Sequence, residues 1–264
     1  MSSITYYTGV DVMTNYSIAE EYVLPSRGKV YSENVNPIVK IRSMTTEEEM
    51  KRLAPSERAY KNICEIIDDC LVENPGISSY DMCLADYQFL LQKMRVVTYG
   101  ADYPTSTVCP FCKTENEKVV DMSAMEVVEY DPDELAKYIE FVLPQTKKHI
   151  RIKLQTPRMI DDVNEQTKDA RKRMKNSTVD SAFLFTLQAL IETVDGEVMD
   201  PIRKEDFVRK LPMMDTNYIL KHAQKLVESF GVKNTVDYTC SLCGLDYTSS
   251  FRVTSEFFGP SVHF

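Results

Sequence analysis

Val108-Cys-Pro-Phe-Cys-Lys-Thr-Glu-Asn-Glu-Lys-Val-Val-Asp-Met122 carries two cysteines, Cys109 and Cys112, separated by two residues and flanked by strand-like sequence. That spacing lets both sulfurs of one turn face a single ion, with backbone N–H groups beside them to offset thiolate charge. A tetrahedral ion needs a second pair. It occurs in Val236-Asp-Tyr-Thr-Cys-Ser-Leu-Cys-Gly-Leu-Asp-Tyr-Thr-Ser-Ser-Phe-Arg-Val253, which holds Cys240 and Cys243. Each stretch reads as a strand, a CxxC turn and alternating residues on the way out. Two such hairpins brought together offer four thiolates, which is the logic of a zinc ribbon.

More than a hundred residues separate the two pairs, whereas a free-standing ribbon has a short connection. The expected fold class is therefore α+β: a mainly helical body with an interrupted four-cysteine zinc-ribbon β subdomain and an extended N-terminal arm. The expected divisions are an arm and β-hairpin over 1–44, a helical region over 45–100, and a split ribbon from 101–123 and 232–256. A mainly helical insertion covers 124–231, and an aromatic tail covers 257–264. A cross-link closing a loop of about 100 residues stabilises by roughly 4–5 kcal/mol in the chain-entropy picture.

Zinc in a structural role is the first reading of the four cysteines. Iron or an iron–sulfur centre would accept the same ligands. A third reading has the CxxC pairs in thiol redox chemistry, or holding no metal. Four thiolates leave no open coordination position, which argues against a catalytic metal.

The chain has 264 residues, 43% of them hydrophobic and 27% charged, which is globular rather than disordered. Its net charge of -9 disfavours nucleic acid, because phosphate binding needs a basic surface. No apolar run approaches the roughly 18 residues of a membrane span, and the first residues lack a signal-peptide pattern. Synthesis in a reducing cytoplasm is expected, where CxxC points to metal or redox chemistry rather than disulfides. The other three cysteines, Cys64, Cys70 and Cys83, have apolar neighbours and read as buried small side chains. His149, His222 and His263 are scattered. No GxSxG, HExxH, P-loop or GxGxxG pattern appears, so neither catalysis nor a small-molecule substrate is expected.

A strand, the Pro25-Ser-Arg-Gly28 turn and a second strand at 38–42 are expected. Thr46 with Glu49 reads as a capping box. Tyr60, Ile63, Ile67, Cys70 and Leu71 recur at helical spacing up to Asn74-Pro-Gly76, and a further helix from Ser78 carries Leu84, Tyr87, Leu91 and Met94. Helices at 133–141 and 158–175, a strand at 149–154 and a helix capped by Ser177 and Asp180 follow. Asp169 is placed to pair with Arg173, which makes the basic run 171–175 a solvated face. Asp195-Gly196 is a hairpin signal, Asp215 reads as the cap of the last helix, and Gly231 suits its end.

Six segments taken in order resemble the T4-type bacteriophage baseplate hub and hub-assembly family of contractile-tailed phages. They are Leu24-Pro-Ser-Arg-Gly-Lys-Val-Tyr31, Phe89-Leu-Leu-Gln-Lys-Met-Arg95 with Thr98-Tyr-Gly100, and the first cysteine turn. Asp206-Phe-Val-Arg-Lys-Leu-Pro212 with Asp215, the second cysteine turn and Glu256-Phe-Phe-Gly-Pro-Ser261 complete the set. The resemblance implies a non-enzymatic protein used in building a tail baseplate, with other tail proteins as partners. It implies a place in the virion tail if the protein is retained there after assembly. The expected partner contacts are Tyr6 and Tyr7 in the arm and Phe257 and Phe258 in the tail; the alternative for the last two is a place in the core. The competing functions are a zinc-ribbon nucleic-acid module and a thiol oxidoreductase using one CxxC pair.

Overall fold

The computed structural model describes residues 18–173, 180–250 and 255–258. Tyr6, Tyr7, Ser177, His263 and the basic run beyond Arg173 lie outside the described residues. The chain enters as β1 (Ala19–Val23), which pairs antiparallel with β2 (Ile38–Arg42). Helices α1 (Thr46–Leu53), α2 (Ala59–Cys70) and α3 (Leu84–Tyr99) follow. Most of α3 is buried, its polar Asp86, Gln92 and Arg95 included.

The turn between β1 and β2 is fixed by that buried polarity. Asp86 accepts hydrogen bonds from the Ser26 backbone N–H (2.9 Å), the Ser26 hydroxyl and the Tyr31 hydroxyl (2.6 Å). The carboxylate is fully buried, and burial raises its pKa even as these donors oppose the shift. Gly28 has φ +71°, and a Cβ there would stand 2.5 Å from the Val35 carbonyl oxygen, so only glycine fits this turn.

After α3 comes the first cysteine hairpin, β3 (Asp102–Val108) and β4 (Glu115–Asp121), then a 3-10 turn (Met122–Ala124) and β5 (Val127–Val128). The inserted part holds α4 (Pro132–Ile139), β6 (Glu140–Val142), β7 (His149–Ile152), α5 (Pro157–Arg173) and α6 (Ser181–Leu190). It continues with β8 (Ile191–Val194), α7 (Pro201–Lys210) and α8 (Met213–Glu228). Strands β6, β7 and β8 form one antiparallel sheet in that order. The Asp195-Gly196 turn after β8 is a two-residue hairpin in which both residues take positive φ, +51° and +82°.

The chain returns as β9 (Gly231–Val232), then the second cysteine hairpin, β10 (Thr235–Thr239) and β11 (Asp246–Ser250), and a 3-10 turn (Ser255–Phe258). β9 pairs antiparallel with β5, Val127 against Val232 and Val128 against Gly231. Those two pairings close the insertion at its neck. Gly231 there has φ +106°, and an added Cβ would meet Ala85 of α3 at 2.9 Å. The exit of the first hairpin and the entry of the second are thus seated together on α3.

Two main hydrophobic cores result among the described residues, with a smaller cluster of Cys83, Ala85 and Phe230 besides. One gathers β1, β2, α2, α3, Met122, Phe257 and Phe258; the other is built from Phe141, Leu143, Ile150, Ile152, Leu187, Leu190, Ile219 and their neighbours. Asp161 of α5 joins the two, accepting from the Lys61 N–H at 2.9 Å and the Tyr80 hydroxyl at 3.2 Å. It caps α2, whose own N-cap residue Arg58 makes no side-chain cap.

Several local expectations shift. The capping box of α1 is Thr45 with Glu48, one residue earlier than Thr46 with Glu49. Helix α3 starts at Leu84, not Ser78. Asp215 does not cap α8. It reaches across to the turn between β6 and β7, accepting from the N–H groups of Gln145 (2.8 Å) and Thr146 (2.9 Å). Asp169 pairs with Lys172 rather than Arg173. Phe257 and Phe258 are 0% and 1% exposed, so the expected partner anchors are core side chains. The gain from burying two aromatic rings outweighs leaving them in water.

Glu48 pairs with Arg42 at 2.7 Å and also accepts from the Thr45 N–H. The Arg42 hydrogen bond, helped by those from Thr45 and opposed by burial, lowers its pKa from 4.5 to about 2. The stability it contributes is complete above pH 4.5 and is lost as pH falls from there towards 2. Glu48→Gln is predicted to cost about 2 kcal/mol at pH 7 in urea unfolding. The gap between variant and wild type is predicted to close as pH falls through that window.

Candidate metal centre

The two cysteine hairpins are built alike. In the first, Cys109 N–H donates to the Thr114 carbonyl at 2.8 Å and Lys113 N–H to the Cys109 carbonyl at 3.0 Å. In the second, Cys240 N–H donates to the Leu245 carbonyl and Gly244 N–H to the Cys240 carbonyl, both at 3.0 Å. The residue after each second cysteine takes a left-handed conformation, Lys113 at φ +64° and Gly244 at φ +71°. Only the second hairpin uses glycine there; Lys113 accepts the steric cost of a side chain.

The hairpins converge at these turns. The four sulfurs of Cys109, Cys112, Cys240 and Cys243 all lie within 4.8 Å of one another. Cys109 Sγ is 3.8 Å from Cys243 Sγ, and Cys112 Sγ is 3.4 Å from Cys240 Sγ. A tetrahedral ion with Zn–S bonds of about 2.3 Å would set its sulfurs about 3.8 Å apart, so the donor set fits such an ion. Cys109 and Cys240 are buried, Cys112 is half-buried and Cys243 is exposed.

The thiols are polarised unequally. The Cys243 N–H, followed by that of Leu242, pulls Cys240 down to about 6. The Thr114 hydroxyl and N–H lower Cys112. At Cys243 the Leu245 N–H acts downward, but burial and the three neighbouring sulfurs prevail and push it up to about 12. Four sulfurs this close repel as thiolates, and a cation at their centre removes that repulsion. Both turns thus aim backbone N–H groups at sulfur, as a metal turn requires.

Asn116 ties one hairpin to the other, and the sequence pattern does not single it out. It is 6% exposed, and its Oδ1 accepts from the Ser241 N–H (2.9 Å) and hydroxyl (3.0 Å). Its Nδ2 donates to the Thr114 carbonyl at 3.0 Å and the Tyr247 hydroxyl at 3.2 Å, and lies 3.7 Å from Cys240 Sγ. The only hint is its place two residues beyond Thr114 on an alternating strand. Tyr238 stacks on Tyr247 and donates to Thr105 Oγ1 at 2.7 Å, and Lys118 Nζ donates to the Asp237 carbonyl at 2.8 Å.

The base of the unit is held by Arg95. Its guanidinium donates to the carbonyls of Gly100 (2.8 Å) and Asp102 (3.1 Å), where β3 begins. It also packs on the rings of Tyr99, Tyr103 and Phe257, the last of which follows β11. One buried side chain thus grips the root of the first hairpin and the segment beyond the second.

The remaining candidates do not join this centre. Cys64, Cys70 and Cys83 are buried, and burial pushes each thiol up to about 12. His149 sits in β7 beside Glu140, and His222 packs among Phe141, Tyr138 and Tyr218.

The geometry defines an α+β protein with a closed four-cysteine centre at the junction of two hairpins. A family model described as T4 bacteriophage base plate protein matches residues 15–259. The chain belongs to that family, and the match spans both cysteine hairpins and the helices between them. Membership places it among base plate proteins of the phage tail, with other tail proteins as partners. No curated protein and no solved structure matches it. Among the described residues no helix is long and apolar enough to cross a membrane.

Asn116→Ala is predicted to leave the fold intact while weakening metal retention about 10–100-fold, since it removes the group that orients the second turn. Competition with a chromophoric chelator reads this directly; unchanged retention would contradict the bridging role.

Proposed function

We propose that this chain is a non-enzymatic structural or assembly protein of a contractile tail baseplate, stiffened by one structural zinc ion. The observation that carries the proposal is the convergence of four sulfurs from two turns 128 residues apart within a base plate family member. The four cysteines would hold the ion, and the ion would supply a cross-link and charge neutralisation rather than a reactive position. Zinc suits four sulfur ligands at tetrahedral spacing, and iron would fit the same donors. The sulfurs meet as a group of four rather than as one exposed pair, which favours a metal over thiol exchange. The net charge of -9 argues against a nucleic-acid module.

What the centre does for the protein follows from what it joins. The neck at β5 and β9, the Arg95 grip and the metal close one ring of contacts around the insertion. Such a ring would keep the two main cores in register.

Protein purified without chelator is predicted to hold one zinc per chain. Stripping the metal, or Cys112→Ser, is predicted to lower Tm by about 10 °C, the equivalent of roughly 4 kcal/mol in a chain of this size. A metal-free protein with the same Tm would overturn the structural role of the ion. Phage lacking the gene are predicted to accumulate incomplete baseplates; normal tails would overturn the tail assignment.

A further inference from the structure

We propose that the metal end of the two hairpins is a docking knob for an apolar cleft rimmed by Lys and Arg on another tail protein. This rests on the tail-protein reading above and goes beyond it in naming the surface and the chemistry of its partner. Four large apolar side chains stand in water around the cysteines: Val108 at 56% exposed, Phe111 at 60%, Leu242 at 72% and Leu245 at 49%. Each is within two residues of a cysteine whose sulfur lies within 4.8 Å of the other three. They therefore share one end of one rigid unit. Phe111 and Leu242 occupy the same position in the two turns, directly before the second cysteine. The turns are already fixed by their backbone hydrogen bonds, so binding through them would order little that is mobile. Exposed apolar patches of this kind mark interaction sites.

The rim decides the partner. Glu115 is the register partner of Val108, and Asp246 is the register partner of Thr239, so a carboxylate flanks each turn. Glu115 accepts from the Ser106 hydroxyl and Asp246 from the Thr239 hydroxyl, and among the described residues neither makes an ion pair with Lys or Arg. Among the described residues Lys113 Nζ donates to the Pro110 carbonyl inside the first turn, so one cation stands at this end against the two carboxylates, and Lys118 Nζ donates to the Asp237 carbonyl farther along the hairpins. Four thiolates holding a divalent ion would add further negative charge at the centre of the patch. A second copy of this knob, an anionic membrane or a nucleic acid would each meet like charge. A basic-rimmed apolar cleft meets complementary charge and apolar contact together.

The test measures binding of the full chain to each base plate and hub protein of the same phage, purified singly, at low and moderate salt. Wild type is expected to bind one of them, more weakly as salt rises. The double variant Phe111→Ser with Leu242→Ser is expected to lose about 30-fold in affinity with zinc content and Tm unchanged. Should that variant lose zinc, Glu115→Lys with Asp246→Lys decides, and its expected result is weaker binding with the salt dependence diminished. Unchanged affinity in the deciding variant overturns the docking knob and leaves the tail assignment standing. No binding by wild type to any of these proteins overturns both.

Discussion

Four sulfurs that would repel one another as thiolates meet where the two cysteine hairpins converge. Without a cation, the group at Cys109, Cys112, Cys240 and Cys243 is a concentration of thiol and thiolate that mutual repulsion opposes, and the neighbouring sulfurs contribute to the raised pKa of Cys243. With a cation the same group becomes a bond between hairpins 128 residues apart in sequence. Everything between them is then a closed loop, and the loop contains one of the two main cores.

The protein does not leave that closure to the metal alone. Beneath it, Asn116 and Tyr238 cross from one hairpin to the other. Lower still, the β5–β9 pairing and Arg95 seat both hairpins on α3. Among the described residues Arg95 is buried without a carboxylate partner; two carbonyls and three aromatic rings take its place, and burial lowers its pKa. This layered arrangement explains why Phe257 and Phe258 turn inward. The tail aromatic rings complete the Arg95 cage and the first core, and their burial ties the segment after β11 to the helix before β3.

The four-cysteine cluster was legible in the sequence because CxxC spacing reports a local geometry that survives any intervening length. The Asp195-Gly196 turn was legible for the same reason, since its dihedral demands are met by those two residues alone. What escaped was settled by distant partners. Thr45 and Thr46 precede three consecutive glutamates, so either threonine could begin a capping box, and the Arg42 side chain selects Glu48. Asp215 has the look of a helix cap, yet it serves the turn at Gln145 and Thr146, seventy residues away. The neck strands are two residues each, too short for any alternation to show. Asn116 was one polar residue among several on an exposed strand.

The central claim is that all four cysteines bind one ion. X-ray absorption on protein purified without chelator tests it most directly. The account predicts one zinc per chain with four sulfur neighbours at about 2.3 Å and no nitrogen or oxygen ligand. A stoichiometric ion with fewer than four sulfurs, or four freely reactive thiols with no ion, would contradict it.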